Sequence, residues 1–230
     1  MGGLLPDWSY NSGGISKPSD VAHHWDEVSL HYDMPIDGDI WLEDPLSSSY
    51  PPSIAFKAAQ MQDLQIAILF LREIREMVFL QKINITKWEH LEKAAINVGL
   101  DVKQFKTDFE GKAKKLFQDD LKLSREMGVR GFPTIIFTDQ DGNKEIVYGT
   151  KPYSVFENTI HKLFPKVIKN MYDNAPMSVF NYYKTLTAKE FAELTGIARN
   201  ESENILNKLY DHGKLQKFNT KNGAIWKLKS

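Results

Sequence analysis

The stretch GVRGFPTIIF, Gly128 to Phe137, sets the strongest constraint on what this chain can fold into. A proline cannot donate to a strand ladder, so Pro133 belongs at a sheet edge, a bulge or the first residue of a strand. The Phe132-Pro133 bond, framed by Gly131 and Thr134, suits a cis peptide. FPTIIFTD reads as a strand, QDGN is a turn, and KEIVYG is a second strand, which together predict a hairpin.

What precedes the hairpin has a different period. Ser53 is expected to cap a helix over Ile54 to Gln60. Leu64, Ile68, Leu71, Ile74 and Val78 then follow helical spacing, with apolar residues spilling to both sides, as in a buried helix. Thr86 with Glu89 reads as a capping box, and Gly99 as the end of that helix. Asp101 with Gln104 opens another helix through Phe109, and a further one runs from Lys112 to Met127. Residues 1–52 are irregular and aromatic-rich (Trp8, Tyr10, Trp25, Tyr32, Trp41, Tyr50), with NSGG and DPLSSSYPP as loops. Their one predicted helix is Ser19 to Tyr32, and the segment is expected to strap over a core. After the hairpin, Pro152 to Leu163 is amphipathic through Val155, Phe156, Ile160 and Leu163. From Met177 the pattern restarts: helix Thr187 to Leu194, helix Asn200 to Asp211, then two strands around Asn222-Gly223, the winged-helix plan. The expected organisation is therefore an N-terminal segment over 1–52, a helical insertion over 53–127, the end of a sheet with its last helix over 128–165, a linker over 166–176, and a winged-helix-like domain over 177–230.

The 230 residues contain no cysteine. This chain therefore has no disulfide, no thiolate nucleophile and no cysteine-ligated metal. A formal net charge of -1 argues against a general polyanion binder. Met1 is not followed by the basic and apolar runs of a signal peptide, and the longest apolar run, Ile66 to Leu71, is far too short to span a membrane. A soluble, cytoplasmic protein is expected.

The order of these pieces resembles the DsbA-like group of the thioredoxin superfamily. GGLLP resembles the exit from its second strand, PPSIAFKAAQ the start of its inserted helices, and LREIREMVFLQKINITKWEHLEKAAINVGLD their centre. SREMGVRGFPTIIF resembles the return to the sheet, and IVYGTKPYSVFENTI its last strand and helix. The resemblance implies an α/β, thioredoxin-like fold, incomplete at the N-terminus, with a large helical insertion and a small winged-helix-like C-terminal domain. It also implies a cis proline opposite a redox dithiol. The strand-CxxC-helix unit that carries the dithiol is not in this sequence, so no catalytic residue carries over. A shortened chain is the favoured reading of that gap, and a degenerate member kept for binding is the other.

The site residues that remain are Gly131, Phe132 and Pro133, with Arg130 as a cation for an anionic ligand; no catalytic residue, metal or cofactor is assigned. His23, His24, Asp26, Glu27 and His31 offer metal-ligand types without a closing set, and are read as surface groups. The serines of DPLSSSYPPS lack a local base. The C-terminal domain is net basic, and Lys214, Lys217 and Lys221 on its wing would suit phosphates. Its second helix opens with Glu201 and Glu203, which repel a phosphate backbone, so a packing or protein-contact role is favoured over DNA. The main functional expectation is a DsbA-like oxidoreductase or isomerase family member that is redox-inactive alone and keeps a peptide- or thiol-binding groove. The alternative is an adaptor or regulatory protein whose helical block binds a partner and whose winged module contacts DNA or protein. The expected partners are a protein or peptide client, a small thiol such as glutathione, or a second copy as a homodimer, with no membrane.

Overall fold

The computed structural model describes residues 5–9, 15 and 17–229. Its elements run α1 (Ser19–Tyr32), α2 (Ile40–Glu43), α3 (Tyr50–Gln62), α4 (Leu64–Leu80), α5 (Trp88–Val98), α6 (Val102–Glu110) and α7 (Lys112–Glu126). The hairpin β1 (Thr134–Thr138) and β2 (Lys144–Tyr148) and helix α8 (Tyr153–Leu163) follow. The chain ends in α9 (Val179–Tyr182), β3 (Thr185–Thr187), α10 (Ala188–Thr195), α11 (Arg199–Asp211), β4 (Leu215–Thr220) and β5 (Gly223–Leu228). Among the described residues no helix is long and apolar enough to cross a membrane. Tyr10, the NSGG loop and most of GGLLP fall outside the described residues.

Two hydrophobic cores form. The larger lies among α3 to α7, where Ala55, Ala58, Ala59 and Ala67 are fully buried and let α3 and α4 approach closely. Phe70 and Phe105 fill the remaining space, 5.3 Å apart edge to face, with Trp88 stacked on Phe105 at 5.7 Å. Aromatic side chains from the segment before α3 pack against this core. Trp25 packs between Trp41 and Phe79, each at 4.9 Å, and Trp8 meets Trp41 at 5.7 Å. The second core gathers Leu186, Phe191, Leu206, Leu215 and Trp226. Its sheet has the order β3-β5-β4, all antiparallel, with α10 and α11 on one face, a winged-helix arrangement.

Two expected helix starts are corrected. Ser53 caps nothing: α3 begins at Tyr50 with prolines in its first turn, where a missing N–H costs nothing, and the Ser53 hydroxyl donates to the Ser49 carbonyl at 2.8 Å. The Thr86–Glu89 capping box does not form, because Asn84 Oδ1 accepts both the Thr86 amide (2.9 Å) and its hydroxyl (2.6 Å). The chain turns once more and α5 starts at Trp88. By contrast, Asp63 and Asp101 cap α4 and α6, accepting amides at 2.8 and 2.9 Å. The short elements α2, α9 and β3 were not anticipated.

The two cores are joined by a polar seam. Arg72 projects from α4 and donates to Glu76 on its own helix at 2.5 Å and to Glu190 at 2.6 and 3.0 Å. It also donates to the hydroxyl and carbonyl of Thr185 at 3.2 and 3.3 Å. Glu190 is at the same time the return member of the α10 capping box, accepting the Thr187 amide at 2.8 Å. One guanidinium thus fixes the start of both β3 and α10 to the helical block. At the other end, Lys221 and Asn222 at the β4–β5 turn reach α1 and the loop after it. Lys221 donates to Asp26 and Asp39 at 2.7 Å each, and Asn222 to Asp26 (2.8 Å) and the Ile36 carbonyl (2.7 Å). Arg199 at the start of α11 forks onto Asp33 at 2.7 and 3.1 Å. Buried Ser29 holds the receiving loop, donating to the Met34 carbonyl and accepting the Ile36 amide. Gly38 is required there, since a Cβ would sit 2.2 Å from the Ala22 carbonyl oxygen.

Replacing Arg72 with alanine leaves Glu190 and Glu76 without the cation they are hydrogen-bonded to, and Arg75 remains as the charge near Glu190. The expected loss is about 2 kcal/mol, below the roughly 3–5 kcal/mol for breaking a fully buried pair, because the side chain keeps 33% of its surface. Urea unfolding of Arg72→Ala beside the parent checks it, and an unchanged midpoint contradicts it.

Candidate functional site

The loop that enters β1 is held from three directions. Past the end of α7, Gly128 (φ 72) turns the chain, with the Gly128 amide donating to the Arg125 carbonyl and the Val129 amide to the Ser124 carbonyl, both at 3.0 Å. The Thr134 hydroxyl donates to the Gly131 carbonyl at 2.7 Å, and the Gly149 amide to the Pro133 carbonyl at 2.9 Å. The Phe132-Pro133 peptide is cis, as the sequence implied. Gly131 has a packing reason: a Cβ there would lie 2.7 Å from the Tyr148 hydroxyl.

In the hairpin register Thr134 lies opposite Tyr148 and Ile136 opposite Ile146, so these four side chains share one face. The other face, through Val147, packs on α8. The first face is open. Ile146 and Tyr148 are 58% and 60% exposed, and with Met127, Val129, Arg130 and Thr134 they line a pocket of about 360 Å³. Of the four residues singled out from sequence, Arg130 lines this pocket, and Gly131 shapes it from behind through Tyr148. Phe132, 51% exposed, and Pro133 stand beside it on the loop, outside the lining. Sequence reasoning missed Ile146 and Tyr148. The signal was present: in EIVYG both faces of a short strand are apolar, so one helix cannot cover both. The arrangement offers an apolar recess with a cation at its rim and the Thr134 and Tyr148 hydroxyls in its lining. It can dock a side chain or segment.

The C-terminal module does not present the basic wing expected from sequence. Lys221 is held by Asp26 and Asp39, and these hydrogen bonds and charges raise its pKa. Lys217 donates to Asn207 at 3.0 Å and lies over the Trp226 ring at 5.2 Å. Arg199, the cation at the start of the would-be recognition helix, is shared between Asp33 and Glu203. Among the described residues, Lys214 is the one wing lysine of the three that is exposed and whose ammonium meets no side-chain partner. The physical reason is that α1 and its loop present Asp26, Asp33 and Asp39 to this face, taking the place a phosphate backbone would need. The sheet face of the wing is also covered: Ile225 is 6% exposed although it is not part of the module's own core, and the Thr187 hydroxyl points at Met34 Sδ, 3.6 Å away. His23 and His24 lie exposed on α1, each beside Glu27, at 3.2 and 3.8 Å.

With this geometry in place, comparison with known proteins is informative. The thioredoxin family pattern, described as Thioredoxin, matches residues 1–158. The chain is 35% identical over 238 aligned positions to the ClpXP adapter protein SpxH of Halalkalibacterium halodurans, covering 99% of this chain and 76% of that protein. It is 32% identical to the protein of the same name from Bacillus subtilis, covering 90% and 71%. A solved structure from Nitrosomonas europaea, described as a protein disulfide isomerase, superposes with a TM-score of 0.57 at 15% identity, over 64% of this chain and 74% of that one. At that identity the likeness is one of fold.

The seam carries a pH dependence. Burial of Glu190 opposes its ionisation, but the hydrogen bonds and charge of Arg72 outweigh burial and lower its pKa. Burial also opposes ionisation of Asp26, and Lys221, the Gly38 amide and Asn222 reverse the balance. Carboxylates with lowered folded pKa values stabilise above the ordinary carboxylate range and lose that contribution as pH falls through the folded values. The urea midpoint is expected to hold from about pH 7 to pH 5 and to fall below about pH 4. Glu190→Gln is expected to fall less over the same range; an equal fall in both would contradict this assignment.

Proposed function

The chain belongs to the thioredoxin family and to the group of its relatives named SpxH adapters, and on that premise we propose that it is an adapter acting by protein contact. The carrying observation is the match to proteins named ClpXP adapters along 99% of this chain at 35% identity. The absence of any cysteine agrees with it: no residue here can attack a disulfide. Of the two functional expectations from sequence, the adaptor is the one these relatives favour, and a protein client is favoured over a small thiol. The nucleic-acid part of that expectation is not proposed, since the cations it needs are engaged by Asp26, Asp33 and Asp39. The client contact is assigned to the open hairpin face. Ile146, Tyr148, Met127 and Val129 supply apolar surface, Arg130 a cation, and Phe132 an exposed anchor beside them. Aromatic and arginine side chains at the centre of an apolar patch are the usual anchors of a protein interface.

The test is protein turnover measured across the proteome in cells lacking this chain, lacking ClpXP, or lacking both. A set of proteins is expected to be stabilised by either loss, with no further effect of the double loss. Re-expression of Ile146→Asp/Tyr148→Asp, which alters two exposed side chains, is expected to leave that set stable. If no protein depends on both the chain and ClpXP, the adapter reading fails. If the double variant restores turnover fully, the hairpin face is not the client site.

A further inference from the structure

The winged module covers the C-terminal part of the outward face of α4. Arg72 and Glu76 meet it at Thr185 and Glu190, whereas Leu64 and Ile68, on the turns before them, are 63% and 57% exposed. Leu64, Ile68 and Arg75 recur at helical spacing along one stripe of that face, roughly 16 Å from end to end. The module adds an aromatic ring beside the stripe. β3 runs along α4 from Thr185, on Arg72, to Thr187, on Met34, whose loop reaches the Phe79 carbonyl through the Asp37 amide. Tyr183 is extended and lies two residues before Thr185, so its side chain shares the face of Thr185. It comes back by about 6.6 Å toward Ile68, which is one helical turn before Arg72, and it is 51% exposed. Two cations flank this surface, and among the described residues neither forms an ion pair. Arg75 is exposed, yet burial of its guanidinium and repulsion from Arg72 lower its pKa, and the attraction it feels is to Glu190, already bonded to Arg72. Lys227 is the register partner of Thr185, so it stands exposed on the same sheet face.

We propose that the α4 stripe and Tyr183 together receive an acidic amphipathic helix from a partner protein. Continuity and charge select this occupant. The same helix face already serves as an interface one turn further on, where the module sits on it. An apolar pair at i and i+4 accepts the apolar side of a second helix laid along α4, and Tyr183 bounds that groove on one side. Arg75 and Lys227, at the end nearest the module, call for carboxylates, and the nearby Glu76 and Glu190 are held by Arg72. A partner carboxylate on Arg75 neutralises a guanidinium that now faces a second one. The surface is separate from the hairpin, which packs on α8, whereas α4 packs on α3 and α5. This inference does not depend on the adapter reading.

The probe is a labelled helical peptide of roughly 18 residues, with leucine at heptad positions a and d and glutamate at e and g, whose like charges keep it from pairing with itself. Titrated with the full chain and followed by fluorescence anisotropy at low salt, it is expected to bind with a dissociation constant on the order of 100 μM. The same peptide with lysine in place of glutamate is expected to bind at least about tenfold more weakly. Ile68→Asp and Arg75→Gln are each expected to weaken the glutamate peptide by about tenfold, with unchanged far-ultraviolet circular dichroism. Absence of binding up to roughly 1 mM overturns the proposal. So does equal binding of the two peptides, or binding that neither Ile68→Asp nor Arg75→Gln affects. A dimer in sedimentation equilibrium that Ile68→Asp dissolves makes a second copy the occupant, and overturns it as well.

Discussion

The guanidinium of Arg72 is the contact on which the arrangement of this molecule rests. It lies at the junction of the two cores, and it closes two local features at once. Glu190 serves the capping box of α10 and the fork of Arg72, and Thr185 begins β3 against the same cation. A helix cap is normally a local device worth about 1 kcal/mol. Here the cap is shared with a side chain 118 positions away, so the start of the module's fold and its docking are one event. The wing contact through Lys221 and Asn222 gives a second, separate fix, so rotation about either alone is blocked.

The seam also determines what the winged module can do. In a nucleic-acid-binding winged helix the wing and the second helix stay free for phosphates. Here both are turned inward onto three aspartates of α1 and its loop. Arg199 and Lys221 are engaged in holding the chain together, and an apolar surface stands open elsewhere, at the hairpin. The hairpin surface is an apolar recess with Arg130 in its lining and a cis proline beside it.

What could be read from sequence was what depends on near neighbours. The hairpin followed from the change of period and the QDGN turn, the cis peptide from Gly131-Phe132-Pro133-Thr134, and the wing from Asn222-Gly223. Local reasoning failed where two local partners competed, as at Thr86, which Asn84 captures before Glu89 can. A capping signal was overlooked at Thr187-x-x-Glu190. The seam was not legible, because Lys221 and Asp26 are 195 positions apart and nothing in either neighbourhood names the other. The basic wing was misread for the same reason: net charge counts lysines without saying which carboxylates face them. At the pocket, Arg130 and Gly131 were found because they flank the proline. Ile146 and Tyr148 were missed because an open strand face looks like a buried one until its partners are known.

The most direct test of this account is a distance distribution across the seam. The chain has no cysteine, so Lys93→Cys on α5 and Asn204→Cys on α11, both at half-exposed or exposed sites, give a clean pair for spin labels. Pulsed electron resonance on the full chain at neutral pH should give one narrow distribution that broadens when Arg72 and Lys221 are both replaced by alanine. A broad distribution in the parent chain, or one indifferent to both replacements, would contradict the claim that this polar seam makes the two halves a single body.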